Sequence, residues 1–460
     1  MSWLRRRPSV HPAERRRVRR RLAGLSTAAE LRLALADLGP LFAAFGRYLS
    51  ARPDLFPIPF CRELLRLDEP AERLQEPEVE RLLAAGLGNR PEAVIDRFDT
   101  VPCACTLAVQ THRGRLRGGG DVEIRLARPD LARHLEAAGE LLPLVISAPA
   151  WKARTPALAQ APEDFLAHLR LCSDLAAQAR ALAALSTSHA GGRGGRERAL
   201  PATARMVRVE RATPELLLFR RPAGRPLQDL LRPAPAGGNA GAGDRVARAA
   251  ARRLCLAWLR LALRAGWALE PAPLEAVTDG QGWIVLAPGP ACQLGHITSR
   301  HLWAYCDAAA GDGADGQLRW LLSEMDGTAP AAEERAWLRR VRQAVPLRDG
   351  GWEDGGEESL AESLFLHWRL ATALGYVARP PLLAFFRGLF AVALAARRLS
   401  PGRDVLREAL DELRLEALLG RIGTLLHAGS WPRRLARQLT TAAQPSDLET
   451  APATHRGSAA

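Results

Sequence analysis

Cys103 and Cys105 stand two apart, a spacing that could begin a thiolate metal site. A tetrahedral centre needs four ligands, and no nearby Cys or His pair completes this one, so no metal is expected there. Asp307, Asp312 and Asp315 in "CDAAAGDGADG" invite a calcium reading, but their spacing misses the ligand ladder of a calcium loop and fits a solvated loop. Ser186, Ser188 and His189 bring hydroxyl and imidazole together in a flexible-looking stretch, without the supporting acid of a hydrolase triad. His112 falls in a strand-like run and reads as a packed or hydrogen-bonded histidine. Gly118, Gly119 and Gly120 could cradle a phosphate only ahead of a helix; they precede a strand-like run, so the turn reading wins. Lys152 is the only lysine, which leaves chemistry that needs an amine almost without a candidate.

The elements that would carry such residues are those of a globular chain. At 460 residues it can bury a sizeable core, and 47% hydrophobic with 25% charged residues excludes a disordered protein. Of the formal net charge of +14, nine arginines and one glutamate between Arg5 and Arg21 supply +8. That segment attracts anionic lipid or nucleic-acid phosphate and lacks the apolar core of a secretory signal. Seven scattered cysteines suit reduced, buried thiols in a cytosolic protein. The run "PPLLAFFRGLFAVALAARRL" (Pro380 to Leu399) is interrupted by Arg387, too short for a membrane span of about 20 apolar residues, and reads as a buried or interfacial helix.

Helical spacing fills Ala28 to about Leu87, with breaks at Pro40, Pro53, Pro57 and Pro70. The stretch Leu38 to Pro57, "LGPLFAAFGRYLSARPDLFP", is apolar and aromatic-rich and breaks at Arg52-Pro53-Asp54. Alternation then predicts a hairpin about Arg117 to Asp121, helices again from about Pro162 to Leu185, and strand-like runs in "ARMVRVERATPELLLFRRPAG". A long helix stops at Gly266, a short strand pair surrounds Asp279-Gly280, and the remainder from about Thr298 to Leu439 is mainly helical. The divisions read as a basic arm (1–24), a helical extension (25–92), a first lobe with the small sheet (93–232), a low-complexity linker (233–243), a helical lobe (244–440) and a disordered tail (441–460).

In that order, "LGPLFAAFGRYLSARPDLFPIPFCRELLRL", "CACTLAVQTHRGRL", "VEIRLARPDL", "SDLAAQAR", "LLLFRRPAGRPL", "RLALRAGW" and "RGLFAVALAARRLSPGRDVLREALDEL" resemble the UbiB/AarF atypical kinase-like family over about three quarters of the chain. The resemblance implies an α+β, predominantly helical, two-lobed protein-kinase-like fold with a small antiparallel sheet and an N-terminal helical extension. It also implies a link to ubiquinone biosynthesis and prenyl-lipid handling.

Measured against the family pattern, the site residues depart. Ala44, Gly46 and Arg47 stand where the opening helix carries Lys-x-Gly-Gln. The Ala-rich nucleotide loop falls at Ala104, Cys105, Thr106 and Leu107. Arg125 takes the place of the phosphate-gripping lysine, and Gln178 that of its glutamate partner, so charge persists in a planar fork but the ion pair does not. In the nearby acidic motif Cys172 replaces Glu while Asp174 keeps Asp. Leu269, Pro271 and Ala276 stand where the His, Asp and metal-binding Asn belong, and Ala287-Pro288-Gly289 replaces Asp-Phe-Gly. Phosphoryl transfer needs metal on the triphosphate and a carboxylate near the acceptor; losing both costs several kcal/mol, roughly three powers of ten in rate or more.

The expected protein is therefore a degenerate pseudokinase, a scaffold or lipid-handling accessory that is cytoplasmic and peripheral to a membrane. Its expected partners are an anionic membrane surface or a prenyl lipid, with other quinone-biosynthesis or membrane proteins. No cofactor is expected. ATP and magnesium belong to a competing reading, a divergent ATPase using Arg125 with Glu270 or Glu275 as surrogate metal ligands; Pro271 and Pro273 restrict that loop. Nucleic-acid binding through the arm ranks last, for want of stacking aromatics and a base-reading motif.

Overall fold

The computed structural model describes residues 10–68, 71–147, 155–187, 204–231, 240–270, 276–278, 284–311, 313–343 and 359–427. Lys152, Ser188, His189, Pro271, Glu275, Asp279 and Asp312 lie outside them, as does the tail from 441. The chain divides into two units, Met1–Leu410 and Asp411–Ala460.

From Pro12 on, the basic segment is a helix rather than a free arm. In α1 (Pro12–Leu22) the apolar pair Val18 and Leu22, one turn apart, is buried, and Arg15 pairs with Glu140 and Arg21 with Asp37. Arg16, Arg19 and Arg20 stay exposed. Two apolar residues suffice to seat a helix that composition alone presents as fully solvated. In α2 (Ala28–Leu38) Thr27 and Glu30 form a reciprocal capping box. Gly39, at φ 112°, then turns the chain into α3 (Pro40–Leu49). Nearly all of α3 is buried, and α4 (Ile58–Leu64) follows.

The break between these two helices has a charged core. Arg52, 1% exposed, forks onto Asp54 at 2.9 and 2.8 Å, reaches Asp164 at 3.3 Å and lies 5.6 Å from the Trp368 ring. A guanidinium removed from water needs such bidentate partners.

Next come α5 (Glu76–Leu87) and strands β1 (Ile95–Phe98), β2 (Ala104–Cys105), β3 (Val109–Leu116) and β4 (Asp121–Ala127). The hairpin expected at Arg117 to Asp121 joins β3 to β4, with Gly119 and Gly120 at positive φ. The helix α6 (Leu131–Ile146) and the first turns of α7 (Pro156–Ser173) go beyond the sequence reading; each helix carries an internal proline, Pro143 or Pro162. The helix α8 (Leu175–Thr187) begins at Asp174, whose Oδ1 accepts the Ala177 N–H at 2.8 Å. After it come β5 (Ala204–Met206), β6 (Val209–Ala212), β7 (Leu216–Arg220) and β8 (Arg225–Pro226).

The main sheet is antiparallel, ordered β1-β3-β4-β7-β6, with β2 on β3. Its strands alternate strictly. Val122, Ile124, Leu126, Leu216 and Leu218 face Val79, Leu82, Leu83 and Leu87 of α5. Leu217 and Phe219 point the other way, onto Leu175 and Leu182 of α8. Arg125 falls on this second side.

The remaining elements are α9 (Ala240–Leu263), β9 (Trp267–Leu269), β10 (Val277–Thr278), β11 (Ile284–Leu286), β12 (Ala291–Gln293), α10 (His296–Ala309), α11 (Asp315–Ser323), β13 (Met325–Asp326), α12 (Ala331–Gln343), α13 (Leu360–Ala373), β14 (Val377–Ala378), α14 (Pro380–Leu399) and α15 (Val405–His427). Gly266, at φ 71°, follows α9 as expected. A second sheet runs β5-β11-β10-β8, with β11 parallel to β5; β12 pairs with β9 and β13 with β14.

The apolar run Pro380 to Leu399 is α14, and it is core. Phe385, Phe386, Leu389, Phe390 and Val392 are each at most 2% exposed, so the helix offers no apolar face to a membrane. No helix among the described residues is long and apolar enough to cross one. Gly388 explains how α14 comes so close to its neighbours: a Cβ there would lie 2.4 Å from the Leu269 carbonyl oxygen and 3.0 Å from Trp258 Nε1.

Candidate functional site

A cavity of about 830 Å³ lies among α3, α4, α7, α14, the turn before β3 and the end of β9. Its walls are largely apolar, supplied by Leu107, Phe165, Leu169, Phe390 and Leu394. Arg47, Arg62, Arg66, Arg387 and Arg398 also line it, against the single carboxylate of Glu270.

Glu270 is held by Arg387, whose Nε and Nη2 donate to its two oxygens at 2.8 and 2.9 Å. The third arm of Arg387 donates to the Tyr48 carbonyl at 3.0 Å, and the guanidinium carbon lies 4.1 Å from the Tyr48 ring centroid. Burial alone would raise the Glu270 carboxyl, but Arg387 and then His168 outweigh it and hold the group below its usual range. Glu270, expected as a surrogate metal ligand, thus has both oxygens accepting from a buried arginine. Among the described residues no three His, Cys, Asp or Glu side chains converge as a metal set.

Two cavity residues escaped the sequence reading. His168, one turn before Cys172, places Nε2 3.4 Å from Cys172 Sγ and Nδ1 3.6 Å from Glu270 Oε2; burial depresses its pKa to about 4, so it is neutral near pH 7. Tyr48 is 3% exposed and its hydroxyl has no hydrogen-bond partner; burial pushes its pKa up to about 12. Arg387 had a sequence signal: an arginine inside an apolar helical run has to find an acid. Tyr48 and His168 had none.

The predicted positions sort into two places. Ala44 and Arg47 line the cavity, as do Thr106, Leu107 and Cys172. Gly46 instead faces α2, where a Cβ would meet Leu67 Cδ1 at 2.3 Å and Leu35 Cδ1 at 2.8 Å. Ala104 and Cys105 form β2, and Thr106 closes the following turn by accepting the Val109 N–H at 3.1 Å. Arg125 donates to the Pro288 carbonyl at 2.8 Å and lies 5.3 Å from the Phe219 ring centroid, so it meets the Ala287-Pro288-Gly289 turn. Gln178 donates to the Leu171 and Cys172 carbonyls at 3.3 and 2.9 Å, while its buried Oε1 has no partner. Leu269 is buried in β9, where its carbonyl accepts Trp258 Nε1–H at 2.9 Å, and Ala276 is buried beside β10. His112 is a core histidine, held by Asp99 O and Gln110 at 2.9 Å each and stacked on Phe98.

The model of the ABC1 atypical kinase-like domain matches residues 66–190. That stretch is similar to an ABC1 atypical kinase-like domain. The matched residues include Ala104 to Leu107, Arg125, Cys172, Asp174 and Gln178 and end before β9. Proteins named "Probable protein kinase UbiB" from Pseudomonas putida (strain W619) and Pseudomonas entomophila (strain L48) are 39% identical over 107 residues and 38% over 112. Those alignments take in 23% and 24% of this chain but 20% and 21% of the relatives, so the chain matches about a fifth of their length. A solved structure of Mycobacterium tuberculosis Rv3197 with erythromycin aligns over 78% of this chain and 91% of its own at a TM-score of 0.40 and 16% identity, a likeness too distant to argue from. With the ABC1-like domain in place, the expected predominantly helical, kinase-like α+β fold holds.

Proposed function

We propose that this UbiB-like chain is a pseudokinase in which the Tyr48–Arg387 cavity, rather than a nucleotide cleft, binds ligand: a small apolar molecule with an anionic end, such as a lipid. The observation that carries this reading is the state of the two residues best placed to replace lost catalytic groups. Arg125 is turned onto the Pro288 carbonyl and Phe219, and Glu270 is consumed by Arg387. Arg125 is already engaged and the Glu270 charge is already balanced by Arg387, which disfavours a triphosphate–divalent-metal complex at either, and the chemistry of the cavity, apolar walls with several arginines, suits an acidic amphiphile better.

By analogy with the family, the chain serves isoprenoid-quinone biosynthesis as a scaffold or lipid-handling accessory at a membrane surface. The exposed arginines of α1 supply the attraction to anionic lipid; α14 does not. Thermal shift of the full chain with ATP, with and without magnesium, alongside mass spectrometry of copurifying lipid, tests the reading. It expects no magnesium-dependent stabilisation and a retained acidic lipid. A shift of several degrees that needs magnesium would return the protein to the divergent ATPases.

A further inference from the structure

We propose that Cys172 is a nucleophilic thiol that accepts an acyl group from a long-chain acyl thioester seated in the cavity. Residues 168 and 172 share one face of α7, and there the imidazole Nε2 lies 3.4 Å from the sulfur. On the far side of the ring Glu270 Oε2 lies 3.6 Å from Nδ1. A carboxylate at that nitrogen favours its protonated tautomer, which turns the Nε2 lone pair toward the thiol. The order nucleophile, base, orienting acid is that of an activated nucleophile, and all three groups line the same cavity.

Cys172 sits in the last turn of α7, where the helix dipole opposes a resting thiolate, and His168 is neutral rather than cationic. The thiol is therefore deprotonated as it attacks rather than beforehand. In that step the sulfur bonds to the thioester carbonyl carbon while His168 Nε2 takes the thiol proton. The bond from that carbon to the leaving sulfur breaks, and the proton passes to the leaving thiolate, giving acyl-Cys172 and a free thiol with no change of oxidation state. Glu270 steadies the transient imidazolium against the opposing charge of Arg387. Phe165, Leu169, Phe390 and Leu394 offer an acyl chain apolar walls, and exposed Arg62, Arg66 and Arg398 suit a phosphate-bearing carrier thiol.

The substrate class rests on reading the cavity as a site for an apolar molecule with an anionic end; the activation of the thiol does not. Two probes separate them on the full chain at pH 7: iodoacetamide, and palmitoyl-coenzyme A followed by peptide mapping with and without hydroxylamine. Cys103 is exposed, with its sulfur 3.4 Å from the Thr111 carbonyl rather than on a histidine, and serves as internal control. Cys172 is expected to react at least about tenfold faster than Cys103 with both probes, and His168→Gln to bring it down to the Cys103 rate. If Cys103 reacts as fast with iodoacetamide, or a folded His168→Gln keeps the wild-type rate, the activated thiol is overturned. Fast alkylation without hydroxylamine-sensitive acylation overturns the acyl-thioester assignment. The ratio within the wild-type chain decides even if the variant does not fold.

Discussion

Two arginines, Arg125 and Arg387, are used in opposite ways. Arg125 lies on the α8 face of the main sheet, bonded to the Pro288 carbonyl and spread over Phe219. Arg387 lies inside α14 and gives its donors to Glu270 and the Tyr48 backbone, so it holds open the corner of a cavity. The first arginine makes a local contact with a neutral carbonyl. The second ties three distant segments together, and everything built on that cavity depends on it.

The comparison breaks most visibly if Arg387 is removed. Arg387→Ala leaves the Glu270 carboxylate buried without its partner and is expected to cost about 3–5 kcal/mol in denaturant unfolding. Adding Glu270→Gln to it should recover a substantial part, because the penalty lies in the stranded charge. If the single variant is as stable as wild type, the ion pair does not hold the cavity.

Acid should act on the same corner. His168 has an unfolded value near 6.5 and a folded value of about 4, so between these the unfolded chain binds a proton that the native chain does not. Its stabilisation is full above pH 6.5 and lost as pH falls toward 4, about 3 kcal/mol across the window. Glu270, held below 4.5, acts only below that pH. His367, buried against Tyr305 and also lowered to about 4, contributes in the same range. Melting temperature measured from pH 7 to 4.5 should therefore fall, and His168→Gln should flatten part of that slope, with His367 and His112, the latter also lowered by burial, still contributing.

What could be read in the sequence and what could not divide along similar lines. The hairpin at Gly119-Gly120, the stop at Gly266 and the alternation that puts Ile124 and Arg125 on opposite faces of the sheet are local, and each is legible from two or three residues. The helix α6 and the first turns of α7 went unread, their Pro143 and Pro162 being tolerated because tertiary packing outweighs a missing hydrogen bond, and α1 misled because two apolar residues among many arginines are a weak signal with a strong effect. The positions Ala104 to Leu107, Arg125, Cys172 and Gln178 were singled out because they lie in order along the chain. The corner of Tyr48, His168, Glu270 and Arg387 was not, since it joins positions as far apart as 339 residues and no spacing announces it.

On the other side of the comparison the effects shrink. Arg125→Met keeps the apolar stem against Phe219 but gives up the bond to Pro288, and is expected to cost about 1 kcal/mol. ATP with magnesium should stabilise Arg125→Lys no more than wild type, since a compact ammonium alone does not restore a metal carboxylate. A magnesium-dependent shift in Arg125→Lys would mean that only this arginine had closed the cleft.

The smallest effect sharpens the comparison most. Tyr48 keeps a buried hydroxyl without a partner, so Tyr48→Phe removes a desolvated polar group at almost no change in shape. Unfolding free energy should stay within about 0.5 kcal/mol of wild type or rise slightly, because the ring that carries Arg387 is untouched. A hydroxyl kept in an apolar wall at a cost to stability has its use in a bound state. The same variant should then lose copurifying ligand while keeping its melting temperature; loss of stability with ligand retained would make Tyr48 a packing residue and leave the cavity without its polar anchor.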